Sequence, residues 1–180
     1  MDTPPPRATP APAVTVEPVG DESRALIERL GQFERHDLSE FRGAVPDEDG
    51  VFPFPRLPLF FDEPGREVLL IRADGAVAGF ALTRPLPDGS TSIGSFFILR
   101  GLRRGGVGTG AALALLRLRP GRWSIAFQED NPGAARFWRR VADAAVGDAW
   151  HEERREVPGR PELPPDTWIT LDTGDGRPTP

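Results

Sequence analysis

Apolar residues recur with the period of a helix in three stretches of the chain, at residues 21–41, 108–119 and 131–147. Leu26, Leu30 and Phe33 share one face of the first predicted helix, and Asp21 can cap its start. Shorter apolar runs bounded by turn residues predict strands at residues 14–19, 66–73, 76–84, 91–99, 122–129, 149–157 and 166–171. The pattern therefore predicts a mixed α/β fold.

Turn residues between these segments indicate how the elements connect. Asp74 and Gly75 separate two strands as a two-residue hairpin does, and residues 85–90 join the second strand to a third. The last predicted helix takes Asn131 as its N-cap and has Gly147 just past its end. Three antiparallel strands are therefore expected before a helix, a strand and a second helix.

Segments without apolar periodicity set the expected limits of the domain. Residues 1–13 are rich in Pro and Ala, and residues 173–180 have no apolar pattern, so we expect disordered tails around a domain at 14–172. Residues 43–66 are rich in Pro, Gly and acidic residues, with phenylalanines between them. This segment fits two alternatives: an irregular cover over a groove, or a loop that its phenylalanines pin to the core.

Composition narrows the classes of function. A chain of 180 residues fits one domain. It has no cysteine, and its two histidines, His36 and His151, are too few for a histidine-based zinc centre, so we expect no metal site. The net charge of -5, from 22 basic and 27 acidic residues, provides no broad footprint for nucleic acid.

Targeting signals are not evident in the sequence. The N-terminal residues have neither the charged start nor the apolar core of a signal peptide, and no run approaches the ~18 apolar residues of a membrane span. We therefore expect a cytoplasmic monomer or homodimer that binds neither a membrane nor nucleic acid. Cationic small molecules suit its negative charge better.

Residues 96–116 run from an apolar strand through paired arginines and five glycines into a helix. Such a turn binds phosphate groups, because its N–H groups are exposed and the helix N-terminus carries a partial positive charge. A Walker P-loop is excluded because it requires a lysine, and every basic residue of this chain is an arginine. The spacing from Gly106 to Ala111 matches a dinucleotide fingerprint, but that motif normally follows its strand directly, whereas residues 100–104 intervene here.

Residues 103–108 fit the pattern R-x-x-G-x-G, and with the apolar strand before them they resemble the coenzyme A loop of the GNAT superfamily of N-acetyltransferases. The resemblance extends over residues 14–171, and Asn131 and the pair Phe137 and Trp138 lie at positions typical of the family. It implies a GNAT fold of the mixed α/β (α+β) class. In that fold a mostly antiparallel twisted sheet of six to seven strands is flanked by about four helices.

The resemblance also implies acetyl-CoA as the cosubstrate. Its pyrophosphate would accept N–H bonds from residues 104–108 and a hydroxyl bond from Thr109, while its pantetheine arm would bond to the main chain of residues 97–99. Asn131 is a helix cap that the family also uses against the cofactor arm, and Arg136 can reach a phosphate group. The implied cofactor residues are Phe97, Ile98, Leu99, Arg103, Arg104, Gly105, Gly106, Val107, Gly108, Thr109, Gly110, Asn131, Arg136 and Phe137.

The expected catalytic residues depart from the family pattern. Many members use a glutamate on the fourth strand as general base and a tyrosine after the fifth strand as acid, whereas Ser95 and Trp138 stand there in this chain. A base matters because an alkylamine of pKa about 10.4 is protonated at neutral pH. Ser95 can order a water, Glu129 is the expected substitute base, and His36 is a further candidate because histidine commonly transfers protons in enzymes.

We therefore expect an N-acetyltransferase that transfers an acetyl group from acetyl-CoA to the amine of a small, cationic acceptor by direct attack in a ternary complex. The resemblance implies that His36, Asp37 and Glu40 lie on the acceptor side, and the acidic segment at 46–50 can attract a cationic acceptor. Two alternatives stay open. One is a degenerate module of the same fold that binds acyl-CoA without turnover, and the other is a nicotinamide-dinucleotide-binding protein.

Overall fold

Seven strands and four helices make up the computed structural model of the protein, which describes residues 11–156 and 164–174. The elements follow one another as β1 (Val14–Val19), α1 (Arg24–Arg42), α2 (Leu59–Asp62), β2 (Glu67–Ala73), β3 (Ala76–Pro85), β4 (Thr91–Ile98), α3 (Val107–Leu118), β5 (Arg122–Phe127), α4 (Pro132–Val146), β6 (Trp150–Arg155) and β7 (Asp166–Asp172). Short 3-10 turns at Asp21–Ser23 and Arg100–Leu102 precede α1 and α3. The numbers of strands and helices that the family resemblance implied are confirmed, although the short α2 was not among the three helices that the sequence pattern predicted.

The strands form one sheet in the order β1-β2-β3-β4-β5-β7-β6. Every neighbouring pair is antiparallel except β4 and β5, which are parallel. A parallel pair requires a crossover connection, and α3 supplies it. The sheet is therefore mostly antiparallel, as the family resemblance implied.

Apolar side chains cover both faces of the sheet. On one face, Leu115 of α3 and Val141 of α4 are buried with Ile125 of β5. On the other face, Ile27 of α1 packs in a cluster with Phe80 of β3. Burial on both sides explains why the central strands have nearly continuous apolar sequences instead of alternating ones. None of the helices in the described residues is long and apolar enough to cross a membrane.

The buried face of α1 differs from the predicted one. Ile27, Leu30 and Glu34 are buried, Leu26 is half-buried, and Phe33 is 55% exposed. Successive helical residues are about 100° apart, so Phe33 points away from the face that Ile27 and Glu34 share. The prediction was wrong here because it assigned the apolar Phe33 to the buried face of α1, whereas the neighbouring Glu34 occupies that face.

The helix caps were predicted correctly for α4 but not for α1. Asn131 Oδ1 accepts a hydrogen bond from Ala134 N at 3.0 Å, which is the expected cap of α4. Asp21 does not cap α1, because the 3-10 turn makes Ser23 the N-cap residue and Asp21 Oδ1 accepts from Arg24 Nε at 2.6 Å instead. The helix therefore starts three residues later than the pattern predicted.

Hydrogen bonds continue one residue beyond each predicted limit of the domain. Ala13 N donates to Asp74 Oδ1 at 2.9 Å, and Asp74 N donates to Ala13 O at 2.8 Å. Thr173 N donates at 2.9 Å to the carbonyl of the residue before β5. These hydrogen bonds fix Ala13 and Thr173 to the sheet, and the domain limits at 14 and 172 stay a prediction. Residues 1–10 and 175–180 of the predicted tails lie outside the described residues.

The segment between α1 and β2 packs on the core, which is the second of the two alternatives. Gln32 Nε2 donates to Phe52 O at 3.1 Å, and Phe52 N donates to Gln32 Oε1 at 2.7 Å. The guanidinium of Arg35 lies 3.6 Å from the ring centroid of Phe54. Phe60 of α2 is buried in the apolar cluster beneath α1. These contacts make the segment a pinned loop.

β3 and β4 approach so closely at Gly79 that no side chain fits between them. A Cβ atom on Gly79 would lie 1.9 Å from Phe97 O and 3.0 Å from Ile98 Cα. Both atoms belong to the main chain of the neighbouring strand, so they can yield only if the pairing of β3 with β4 is disturbed. Gly79 therefore sets the position of the last residues of β4.

We expect Gly79→Ala to destabilise the fold by about 1–3 kcal/mol, because the added methyl group overpacks two paired strands. The melting temperature should fall by roughly 2–10 °C, which differential scanning calorimetry measures. Gly101→Ala is the matched control, since a Cβ atom at Gly101 meets nothing within 4 Å. Equal melting temperatures for the two variants would contradict the close approach.

Candidate active site

A cleft opens where β4 and β5 stop pairing. The two parallel strands are paired over three residues only, with Thr91 opposite Trp123 and Ile93 opposite Ile125 at the two ends. A cavity of about 130 Å³, here called the seam cavity, lies between residues 93–96 and 125–128. It adjoins a large cleft of about 650 Å³ that extends to the start of α3. The residues that line both are Glu34, Leu38, Phe41, Phe96, Asn131, Ala134 and Trp138.

Beyond the pair of Ile93 with Ile125, which is the last between β4 and β5, main-chain groups of β4 face the large cleft. Leu99 N donates to Ala78 O of β3 at 2.8 Å, whereas Ile98 O accepts from Arg103 Nε at 2.7 Å on the other side. Main-chain groups of successive strand residues point to alternate sides. Phe96 therefore shares the cleft-facing side with Ile98.

The turn before α3 presents a row of unpaired N–H groups. Arg104 and Gly106 have positive φ angles of 69° and 85°, which curl the backbone around the helix start. Gly110 N donates to Gly106 O at 2.9 Å, but within residues 11–156 and 164–174 the N–H groups of residues 104–109 have no hydrogen-bond acceptor. Such groups at a helix N-terminus carry partial positive charge, so the turn suits an anion.

Charges in the large cleft are divided between its walls. On one wall, α1 contributes three carboxyl groups, those of Glu34, Asp37 and Glu40. The opposite wall contributes four arginines: Arg100, Arg103, Arg104 and Arg140. An anionic ligand is therefore favoured near the start of α3, and a cationic ligand is favoured near α1.

Asp37 connects the two walls. Its Oδ1 accepts from Arg100 Nη2 at 2.7 Å, and its Oδ2 pairs with Arg103. Burial by itself would raise the pKa of Asp37, but the hydrogen bonds from Arg103 and Arg100 outweigh it and lower that pKa. The ionised carboxylate therefore holds α1 against the turn before α3.

Glu34 is a buried carboxyl group at the junction of the two cavities. Its side chain is 6% exposed, and its Oε2 accepts a hydrogen bond from Ser95 Oγ at 3.3 Å. Burial raises the pKa of Glu34 to about 6, against the weaker opposing influence of Arg35 and of the Ser95 bond. The ion pairs of α1 in the described part of the chain do not include Glu34. This carboxyl group thus changes its charge near neutral pH.

Three aromatic rings form the floor of the junction. Phe96 of β4 stacks on Phe137 of α4 with ring centroids 5.6 Å apart, and it meets Trp138 edge-on at 5.3 Å. Phe137 and Trp138 are 4.8 Å apart. The contacts hold α4 to β4 across the opening and provide an apolar surface beside a polar one.

The sequence match agrees with this geometry. The sequence model described as "Acetyltransferase (GNAT) family" matches residues 23–142, from the turn before α1 into α4. The chain belongs to the GNAT family. The family resemblance is thereby confirmed, and the GNAT sheet replaces the parallel doubly wound sheet that a dinucleotide fingerprint requires. No sequence of a curated protein matches the chain.

Solved GNAT structures share the fold at low sequence identity. Aminoglycoside acetyltransferase AAC(6')-Ib in complex with coenzyme A is 14% identical, with a TM-score of 0.64 over 89% of this chain and 95% of that one. An acetyltransferase from Thermus thermophilus is 15% identical, with a TM-score of 0.63 over 88% and 96%. The ribosomal-protein-S18-alanine N-acetyltransferase from Escherichia coli is 13% identical, with a TM-score of 0.58 over 93% and 99%.

The GNAT cleft gathers most of the residues that the sequence predicted for the cofactor. Those that line the large cleft are Phe97, Ile98, Arg103, Arg104, Gly106, Gly108, Thr109, Asn131 and Phe137. Gly105 and Val107 belong to the same turn, where their N–H groups are unpaired in the described part of the chain and the Val107 side chain is buried in the core.

Three other predicted cofactor residues do not line the large cleft. Both main-chain groups of Leu99 are already hydrogen-bonded within the fold. Gly110 faces Val14 of β1, because the helix has turned away from the cleft at that position. Arg136 is exposed on α4, while Arg140 lies about one turn later and lines the cleft instead.

Among the predicted catalytic residues, Ser95 borders the seam cavity, and the other two do not line the cleft. Glu129 Oε1 accepts from Arg139 Nη2 at 2.7 Å and from Thr167 Oγ1 at 3.2 Å, which holds it on the far side of α4. His36 has a side chain that is 73% exposed. A catalytic role for Glu129 or His36 stays a prediction that these positions disfavour.

Sequence reasoning missed Glu34, although a signal was present. Ile27, Leu30, Gly31 and Glu34 follow the i, i+3, i+4, i+7 spacing of a buried helical face. A glutamate at the last of these positions is a charged residue where an apolar one is expected. Such a residue marks a buried carboxyl group, and hence a candidate for proton transfer.

The raised pKa of Glu34 makes the stability of the fold depend on pH. A carboxyl group whose pKa rises from 4.5 to about 6 on folding contributes stability that is fully present below about pH 4.5 and lost as the pH rises through 6. We therefore expect Glu34→Gln, which resembles the neutral form, to be more stable than the wild type by roughly 2 kcal/mol at pH 7.5 and about equally stable at pH 4.5. Urea unfolding at the two pH values measures the difference.

Glu28→Gln on the exposed side of the same helix is the control and should give no difference that depends on pH. A Glu34→Gln variant that is less stable than the wild type at pH 7.5 would indicate that the fold needs the ionised carboxylate.

Proposed function

We propose that the protein is an N-acetyltransferase that transfers the acetyl group of acetyl-CoA to the amine of a small, cationic acceptor. One observation carries the proposal: a continuous cleft has unpaired N–H groups and arginines at one end and a buried carboxyl group at the other. Acetyl-CoA is the cosubstrate, as membership of the GNAT family and the coenzyme A bound to a solved relative support.

The phosphate groups of acetyl-CoA bind at the turn before α3. The N–H groups of residues 104–109 donate to the pyrophosphate, and each charge-assisted bond contributes about 1.5–3 kcal/mol. The pantetheine arm lies along β4, where Phe96 offers its main-chain groups and Ile98 its N–H group as they would to an added strand, since Ile98 O is bonded to Arg103. The acetyl group then reaches the junction of the two cavities, above the aromatic floor.

The acceptor reaches the acetyl group on the side of α1. The carboxyl groups of Glu34 and Glu40 favour an ammonium group there. A seam cavity of about 130 Å³ admits an amine-bearing arm rather than a folded surface. One solved relative is by name an aminoglycoside acetyltransferase and another is by name a ribosomal-protein-S18-alanine N-acetyltransferase. Of these two classes of acceptor, the acidic wall formed by α1 favours the small cationic molecule.

The transfer proceeds by direct attack of the amine on the thioester carbonyl carbon. A covalent enzyme intermediate on sulfur is excluded because the chain has no cysteine. The leaving thiolate corresponds to a thiol of pKa about 8.5, so it departs without a strong acid. The missing tyrosine is therefore no obstacle to the chemistry.

The alternative function is a module of the same fold that binds acyl-CoA without turnover. One observation favours it: β4 carries Ser95 where many family members carry the catalytic glutamate. A cytoplasmic location and a monomeric or homodimeric state stay predictions.

Turnover distinguishes the two functions. We expect free thiol to be released from acetyl-CoA in the presence of at least one member of a panel of small polyamines, aminoglycosides and amino-terminal peptides, measured continuously with a thiol reagent. Acetyl-CoA at 100 times its Kd should also stabilise the fold by about 2.7 kcal/mol, while NADH should not. Stabilisation without turnover across the panel would favour the binding module, and equal stabilisation by NADH would contradict the cofactor.

The turn before α3 can be tested separately from turnover. Gly106 has a φ angle of 85°, which costs a residue with a Cβ atom about 1–2 kcal/mol. We expect Gly106→Val to raise the Kd for acetyl-CoA by about tenfold or more, because the N–H groups of the turn change direction. Isothermal titration calorimetry measures the Kd, and Gly75→Val is the matched control, because Gly75 has a similar φ angle of 80° but lies in the hairpin between β2 and β3. A folded Gly106→Val variant with wild-type affinity would remove this turn from the cofactor site.

A further inference from the structure

Among residues 11–156 and 164–174, the contacts of Glu34 give no structural explanation for its burial. Its side chain has lost nearly all of its hydration, and the one hydroxyl group that donates to it there, at 3.3 Å, replaces little of that hydration. Other residues of α1 already hold the helix in place: Ile27 and Leu30 are buried in the apolar cluster beneath it, and Asp37 ties it to the turn before α3. An apolar residue at position 34 would pack at lower cost.

Glu34 instead lies where the two proposed substrates meet. It lines both the large cleft and the seam cavity, and the residue that it contacts, Ser95, is on the cavity wall formed by β4. We infer that Glu34 is the general base of the acetyl transfer, and that it reaches the acceptor amine from α1 instead of from β4. This inference rests on the proposed function. Ser95 is a positioning residue, because its hydroxyl group fixes one carboxyl oxygen of Glu34.

The acceptor arrives as an ammonium group, and its protons leave in two steps. One carboxylate oxygen of Glu34 takes the first proton and leaves a neutral amine. The nitrogen then forms a bond to the acetyl carbonyl carbon, and the bond from that carbon to sulfur breaks with its electron pair on sulfur. The second nitrogen proton passes to the thiolate, and Glu34 returns its proton to water. The products are an amide, free coenzyme A and one proton.

The surroundings of Glu34 suit this role at neutral pH. Its pKa of about 6 leaves it ionised at pH 7 and close enough to the working pH for efficient proton transfer. On α1 itself, Arg35 and Arg42 favour the ionised form, and Asp37 opposes it. Across the seam cavity the facing side chains are uncharged, those of Ser95, Gln128 and Asn131. On the far wall of the large cleft the charged side chains are Arg100, Arg103, Arg104 and Arg140, of which Asp37 pairs with the first two.

Glu34→Gln tests the assignment, because the amide keeps the shape of the side chain but accepts no proton. With an alkylamine acceptor that the wild type turns over, kcat/KM at pH 7 should fall by about 10²–10⁴-fold. The Kd for acetyl-CoA, measured by calorimetry, should stay within about twofold of the wild type, because the proposed cofactor contacts lie at the other end of the cleft. Glu28→Gln should match the wild type in both measurements.

The pH profile separates a base from a merely structural residue. For the wild type, kcat/KM should rise through pH 6 and then stay level up to the pKa of the amine. Glu34→Gln must use the small neutral fraction of the amine, so its rate should rise about tenfold per pH unit and approach the wild type near pH 10. An acceptor whose amine has a pKa below 7 should be nearly insensitive to the substitution.

Ser95→Ala provides a second variant that does not depend on how Glu34→Gln folds. The Ser95 hydrogen bond lowers the pKa of Glu34, so its loss should move the rising limb of the profile above pH 6. If the wild type is active and Glu34→Gln keeps its rate and pH profile, the assignment of Glu34 as the base is overturned. The same holds if the rising limb of the Ser95→Ala profile stays at pH 6. In both cases the proposed function itself stands. A wild type that binds acetyl-CoA and acetylates no amine would overturn the proposed function, and the base with it.

Discussion

The short pairing between β4 and β5 is the constraint on which the site depends. Two parallel strands that stay hydrogen-bonded for only three residues leave a gap inside an otherwise continuous sheet. Both faces of the sheet are covered by helices, so the gap is a narrow walled cavity and not an open edge. The chain keeps the gap open from both sides, with the aromatic contacts of α4 below and the buried face of α1 above.

The position of Glu34 also accounts for the small residue at Ser95. A second carboxyl group on β4 would lie beside the first, and two carboxylates at such a distance cannot both stay ionised. A serine there avoids the repulsion and supplies a hydrogen-bond donor. The serine on β4 therefore belongs with the glutamate on α1. Together they form one hydrogen-bonded pair, which takes the place of a single glutamate on β4.

Much of the fold could be predicted because its signals are local. The hairpin at Asp74 and Gly75, the cap at Asn131 and the glycine turn before α3 each depend on a few neighbouring residues. The cofactor end that we propose for the cleft follows from the same turn, since it uses main-chain groups. The proposed catalytic end does not, because Glu34 and Ser95 are 61 residues apart and meet only through packing of α1 on the sheet. The place of Glu129 at the end of a strand favours it as a general base. Its pairing with Arg139, however, depends on the packing of α4, which the sequence does not reveal.

The ion pairs of Asp37 give α1 a second property. Asp37 and Glu34 are three residues apart, so they lie on adjacent turns of one helix face and move together. If a phosphate group at the turn before α3 took Arg100 or Arg103 from Asp37, it would loosen the turn of α1 that also carries Glu34. The two ends of the cleft would then be thermodynamically coupled, and by linkage the acceptor would change the affinity for the cofactor by the factor with which the cofactor changes the affinity for the acceptor.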